Sequence, residues 1–157
     1  MKEKVILLID DDLDDTEIFT GIFRDSNQNI NFLCAPSGPE ALKLLNVIEP
    51  PSLILLDAGM PVMNGWEFLD LLKREDRRSE VPVIMIATSS RKAGIDDAGT
   101  LGAVAYFVKP CDFQCLKEIL VTICTNLGSG LKKALLNLQS ESPRYIFIFP
   151  ENIKDAV

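Results

Sequence analysis

A chain of 157 residues, 47% hydrophobic and 25% charged, has the size of one globular domain and too mixed a composition to be fibrous, disordered or membrane-embedded. Its 16 basic and 23 acidic residues leave a net charge of −7, which argues against a surface that tracks nucleic-acid phosphates and favours cations as guests. It contains no histidine, so a Ser-His-Asp triad, a Cys-His pair, a His-ligated zinc and a histidine general base are all excluded within the chain.

Short apolar runs alternate with helix-period stretches, the pattern of strand–helix units around a parallel sheet. The first run, Val5 to Ile9, is too short for a membrane span and is followed by no small-residue cleavage site, so a cytoplasmic protein is expected. Asp10, Asp11 and Asp12 follow it. Asp12 suits the N-cap of a helix whose Ile18, Phe19, Ile22 and Phe23 share one face, and Asp14, Asp15 and Glu17 read as dipole and solvation charges in its first turn. Ile30 to Ala35 reads as a second strand, and Ser37, Pro39 and Glu40 as the entry to a second helix.

After Pro50 and Pro51, Leu53 to Leu56 forms a third strand ending on Asp57. Gly59, Pro61, Asn64 and Gly65 are turn residues, and the next helix carries Trp66, Leu69 and Leu72 inward. Val81 to Ala87 is the fourth strand. The fourth helix, from about Arg91 to Leu101, is soft because Gly94 and Gly99 each cost about 1 kcal/mol relative to alanine. Val104 to Val108 is the fifth strand, and Asp112 caps a last helix that ends near Gly128.

Residues 1–127 therefore form the main domain, and 128–157 an extension: a Gly128-Ser129-Gly130 link, a short helix through Leu131, Leu135 and Leu138, and an apolar stretch over 145–149. That stretch needs cover, from a sheet edge, the domain surface or another chain. The acidity lies in the main domain, which carries 12 basic and 20 acidic residues. The four cysteines, Cys34, Cys111, Cys115 and Cys124, include no C-x-x-C pair and are expected as buried free thiols; Cys111 and Cys115 alone make a poor zinc site.

In a parallel sheet covered on both faces, ligands bind at the carboxyl ends of the strands. Those ends carry Asp10 and Asp11, Asp57, Thr88 and Ser89, and Lys109. Carboxylates converging on one mouth call for a hard cation such as Mg²⁺, and a lysine with a hydroxyl beside it fits a phosphoryl group. Without histidine, the covalent acceptor of such a group would be an aspartate.

The Asp10-Asp11 pair, the run Leu53 to Pro61 around Asp57 with Met63-Asn64-Gly65, the Thr88-Ser89 strand end and Tyr106-Phe107-Val108-Lys109-Pro110 together resemble the receiver domain of two-component response regulators, over about residues 3–127. The resemblance implies a flavodoxin-like, doubly wound, five-stranded parallel sheet of order 2-1-3-4-5 with helices on both faces. It implies that Asp57 accepts a phosphoryl group from a histidine kinase or histidine phosphotransfer protein and that the signal passes to a protein target. It implies Mg²⁺ held by Asp10, Asp11, Asp57 and the carbonyl of Gly59, with Lys109 and Thr88 meeting the phosphoryl oxygens. Thr88 and Tyr106 would form the switch, although Tyr106 reads equally well as core. A cis peptide before Pro110 is also implied.

The tail is too short for a DNA-binding output domain, so a stand-alone module is expected, with no nucleic-acid or membrane partner and with its oligomeric state, dimer included, left open. The face presented by the fourth helix is where such domains meet partners. Two other functions compete. Asp12-Leu13-Asp14-Asp15-Thr16 matches the D-x-D-x-T string of haloacid-dehalogenase phosphohydrolases, which also use an aspartate nucleophile, and a degenerate receiver would bind partners without phosphorylation.

Overall fold

The computed structural model describes residues 3–26, 29–110 and 112–154. Five strands, β1 (Lys4–Ile9), β2 (Ile30–Ala35), β3 (Leu53–Asp57), β4 (Val83–Ala87) and β5 (Ala105–Val108), alternate with helices α1 (Leu13–Asp25), α2 (Gly38–Leu45), α3 (Gly65–Lys73), α4 (Lys92–Thr100) and α5 (Phe113–Thr125). They are followed by α6 (Leu131–Glu141), β6 (Ile146–Ile148) and a 3-10 turn at Pro150–Asn152. All neighbouring pairs among β1 to β5 are parallel, in the order β2-β1-β3-β4-β5. The sheet has six strands rather than the five expected, because β6 joins the far edge antiparallel to β5.

The near-continuous apolar runs of the strands have a direct cause. Both faces of the sheet are covered, so successive side chains are buried on opposite sides. Ile6, Leu8, Leu53, Leu55, Ile84, Ile86 and Phe107 face α1, α5 and α6, while Leu7, Ile9, Ile54, Leu56, Met85 and Tyr106 face α2, α3 and α4. Each such side chain taken fully from water contributes about 1.5–3 kcal/mol. The helix entries follow the expected chemistry: Asp12 accepts from the Asp14 and Asp15 amides, Ser37 from Glu40, and Asp112 from Gln114. Asn64 and Glu67 close a reciprocal capping box at α3.

The extension is stitched to the same core rather than standing apart. Leu131, Leu135 and Leu138 of α6 and Ile146 and Ile148 of β6 join the cluster on the α1–α5 side, while Phe147 and Phe149 pack on the other. The outward amide of Ile148 donates to Gln139 Oε1 at 2.7 Å, which blunts the new sheet edge from within the chain.

The glycines of α4 are contact sites as well as soft spots. A Cβ on Gly94 would lie 3.1 Å from the Trp66 ring, and one on Gly99 would lie 2.6 Å from the Phe149 ring. The expectation of buried thiols fails at Cys34, which is exposed because β2 is an edge strand; Cys115 is half-buried, Cys124 is buried, and all three are free. Cys111 lies outside the described residues. No peptide bond among the described residues is cis, so the Lys109–Pro110 bond is trans, the isomer an X–Pro amide prefers by roughly 0.5–1 kcal/mol. Among the described residues no helix is long and apolar enough to cross a membrane.

Candidate functional site

The carboxyl ends of β1, β3, β4 and β5 bring the expected residues to one mouth. Carboxylate oxygens of Asp10, Asp11 and Asp57 all lie within 4.8 Å of one another, with Asp10 buried, Asp57 half-buried and Asp11 exposed. Asp10 accepts from the Asp12 amide at 2.9 Å, and Asp57 accepts from the Gly59 amide at 3.4 Å. The loop between Asp57 and α3 is tight. A Cβ on Gly65 would sit 2.8 Å from both Ala58 Cα and Asp57 O, so only glycine fits there.

Burial is the main force on these carboxyls. It pushes Asp10 up to about 7, helped by the charges of Asp57 and Asp15 and opposed by the Asp12 amide and Lys109. Asp57 is raised by the same burial and by Asp11, against the pull of Lys109, the Gly59 amide and a hydrogen bond from Asp10. Asp10 and Asp57 thus sit within hydrogen-bonding reach of one another, and gathered carboxyls whose ionised forms are disfavoured by burial suit a cation.

Lys109 bonds a residue that the sequence alone leaves outside the site. Its ammonium donates to Asp15 and lies 3.8 Å from Asp10, whereas no hydrogen bond joins it to Asp57. Burial lowers its pKa, but the hydrogen bond to Asp15 and the charges of Asp10, Asp15 and Asp57 outweigh that and leave it raised. Asp15, read from sequence as a solvation charge, is therefore part of the site. The available signal was its place in the first turn of α1, the helix that starts directly after the strand end carrying Asp10 and Asp11.

Thr88, Ser89, Ala87, Gly59, Trp66 and Tyr106 surround a cleft of about 140 Å³ beside Asp57. Thr88 is exposed on its rim. Trp66 is more than packing: its indole N–H donates to Gly94 O at 3.0 Å and ties α3 to α4. Tyr106 is 1% exposed, and its hydroxyl donates to Ser89 O at 2.8 Å, so it is core by burial and yet reaches the cleft. Asp12 lies outside the carboxylate cluster, its side chain occupied by the cap of α1. The D-x-D-x-T string accordingly places no free nucleophile at this mouth.

A doubly wound sheet with three gathered aspartates, a lysine and a hydroxyl at its carboxyl end defines a phosphoacceptor type of signalling module. The sequence profile of the response regulator receiver domain matches residues 6–121, and the chain belongs to that family. A chemotaxis protein CheY homolog of Campylobacter jejuni is 32% identical over 121 residues, covering 75% of this chain and 91% of the relative. Among solved structures, a phosphorylated cyanobacterial phytochrome response regulator, RcpA, superposes with a TM-score of 0.73 at 25% identity, covering 78% of this chain and 91% of that one. The Mn²⁺-bound response regulator Rcp1 gives 0.70 at 25% identity, over 76% and 91%. The chain is thus a receiver domain with the flavodoxin-like fold, a member of a family of phosphoacceptor signalling proteins.

Proposed function

We propose that Asp57 is the phosphoacceptor, taking a phosphoryl group from the phosphohistidine of a partner kinase or histidine phosphotransfer protein. The gathering of Asp10, Asp11 and Asp57 within 4.8 Å beside the Thr88 cleft carries this reading. An Asp57 oxygen forms the new bond to phosphorus as the bond to the partner's ring nitrogen breaks. The electron pair returns to the imidazole, which explains why the receiving chain needs no histidine of its own. Asp10, Asp11 and Asp57, with the Gly59 carbonyl, would hold Mg²⁺, and the hard oxygen donors suit it. When bound, the cation neutralises charge on the phosphoryl oxygens.

The chain's own groups do the rest. Lys109 exchanges part of its contact with Asp15 for the incoming phosphoryl oxygens, and Thr88 donates its hydroxyl to them across the cleft. Movement of Thr88 leaves space next to Ser89 and Tyr106, which carries the change to the surface read by a protein target. Gly59 presents no side chain to an attacking water, so the lifetime of the acyl phosphate is set by solvent access to it.

The test is direct. Wild type and Asp57→Asn are incubated with Mg²⁺ and acetyl phosphate, and intact masses are measured. One phosphoryl adduct on wild type and none on the variant is the expected result. Equal labelling of both, or steady phosphatase turnover abolished by Asp12→Asn, would overturn the assignment.

A further inference from the structure

We propose that Phe147, on the strand added by the C-terminal extension, is a positioning residue for phosphoryl transfer at Asp57 and acts through Tyr106. The proposal rests on Asp57 being the acceptor. Phe147 stands opposite Tyr106 across the β5–β6 pair, its ring edge-on at 6.5 Å and 67°. Tyr106 in turn holds Ser89 O at 2.8 Å, and Ser89, Thr88 and Tyr106 all line the cleft beside Asp57. A continuous contact therefore runs from the extension to the loop that presents Thr88.

The same strand braces the other side of the site. The Val108 amide donates to Tyr145 O at 2.8 Å, fixing the end of β5 one residue before Lys109. Further along, the Phe149 amide donates to Val104 O at 2.9 Å. The Phe149 ring occupies the notch left by Gly99, and Asn152 Nδ2 donates to Gly99 O and Ala103 O at 2.8 and 2.7 Å. The C-terminal turn of α4 is thereby pinned. With β6 held between β5 and Gln139, Phe147 has a fixed backbone from which to set the Tyr106 ring. A residue that merely filled the core would affect stability alone; this one is expected to affect the rate at Asp57.

The experiment measures the rate of adduct formation from acetyl phosphate and Mg²⁺ by intact mass, with the thermal midpoint of each full-length variant read in parallel. Phe147→Leu keeps an apolar side chain but removes the ring edge, and it is expected to slow labelling about two- to tenfold, the equilibrium worth of an aromatic pair. Phe147→Tyr restores the rate. In a Tyr106→Phe background, which cuts the tether to Ser89, Phe147→Leu is expected to have no further effect, as coupled sites require. A wild-type rate in Phe147→Leu, effects that multiply in the double variant, or slowing that only tracks the unfolded fraction would overturn the proposal while leaving the Asp57 assignment standing. Wild type that takes up no adduct would remove that assignment and this proposal together.

Discussion

The two ends of the sheet handle charge in opposite ways. At the amino ends of the strands cations find acceptors within the chain: half-buried Lys73 donates to Ser79 O and Val81 O at 2.9 and 3.0 Å, exposed Lys4 donates to Leu127 O at 3.0 Å, and buried Arg78, 6% exposed, bonds Glu75 and Asn46. At the carboxyl ends, carboxylates are left facing one another, a lysine bonds a residue other than the candidate acceptor, and Val62 in the adjoining loop adopts a left-handed φ of 67° while 97% exposed. Groups satisfied within the chain hold the fold. Groups left in tension are poised for what arrives from outside.

The contrast can be broken most severely with pH. In the unfolded chain the Asp10 carboxyl ionises near 3.8, whereas in the fold it holds its proton to about 7. Below 4 both states are protonated and the stability is fully present. Between those values only the folded state keeps the proton, so stability falls as pH rises and is lost above 7. The loss is at most about 4 kcal/mol. Urea midpoints in a metal chelator should therefore fall from pH 5 to pH 8, and Mg²⁺ or Asp10→Asn should flatten the slope. A flat profile in the chelator would show that these carboxyls are not in tension.

At the other end, Arg78→Ala should cost roughly 2–3 kcal/mol by stranding the polar groups it now satisfies, with labelling per folded molecule unchanged. Gly65→Ala should cost less, roughly 1–3 kcal/mol, yet it should depress labelling, because the new Cβ lies 2.8 Å from backbone beneath Asp57. Denaturant titration and intact mass on the same samples separate the two. Equal labelling in both variants would erase the functional distinction between the ends.

How much of this was legible beforehand depends on range. The strand ends carrying Asp10, Asp57, Thr88 and Lys109 were legible because apolar runs and turn residues are local signals. That the 145–149 stretch needs cover was legible, with a sheet edge among three options; which option it takes was not, since no local pattern reports that the β5 edge is open. Asp15 was masked by a sufficient local explanation, the helix dipole, although its partner Lys109 lies 94 residues away. Gly94 and Gly99 have the same history. Their cost to the helix is intrinsic to glycine, but the Trp66 and Phe149 rings that use the space come from other elements. The exposure of Cys34 follows from strand order, which composition does not carry.

The smallest expected effect probes the strained loop itself. Val62 is β-branched, and in the left-handed region its Cβ crowds the following carbonyl, at a cost of about 1–2 kcal/mol that glycine and, in part, asparagine escape. At 97% exposure it recovers nothing by burial. Glycine would relieve the strain but would also loosen the unfolded chain, so Val62→Asn is the cleaner change and should raise stability by about 1 kcal/mol. If the loop's conformation is dictated by its surroundings, namely the amide of Met63 bonded to Pro61 O at 2.7 Å, the Met63 side chain against Gly38, and the capping box at Asn64, labelling of Asp57 should be unchanged. A higher urea midpoint with altered labelling would instead mean that the strain at Val62 is part of how the site works, and would extend the tension at this end of the sheet from its charges to its backbone.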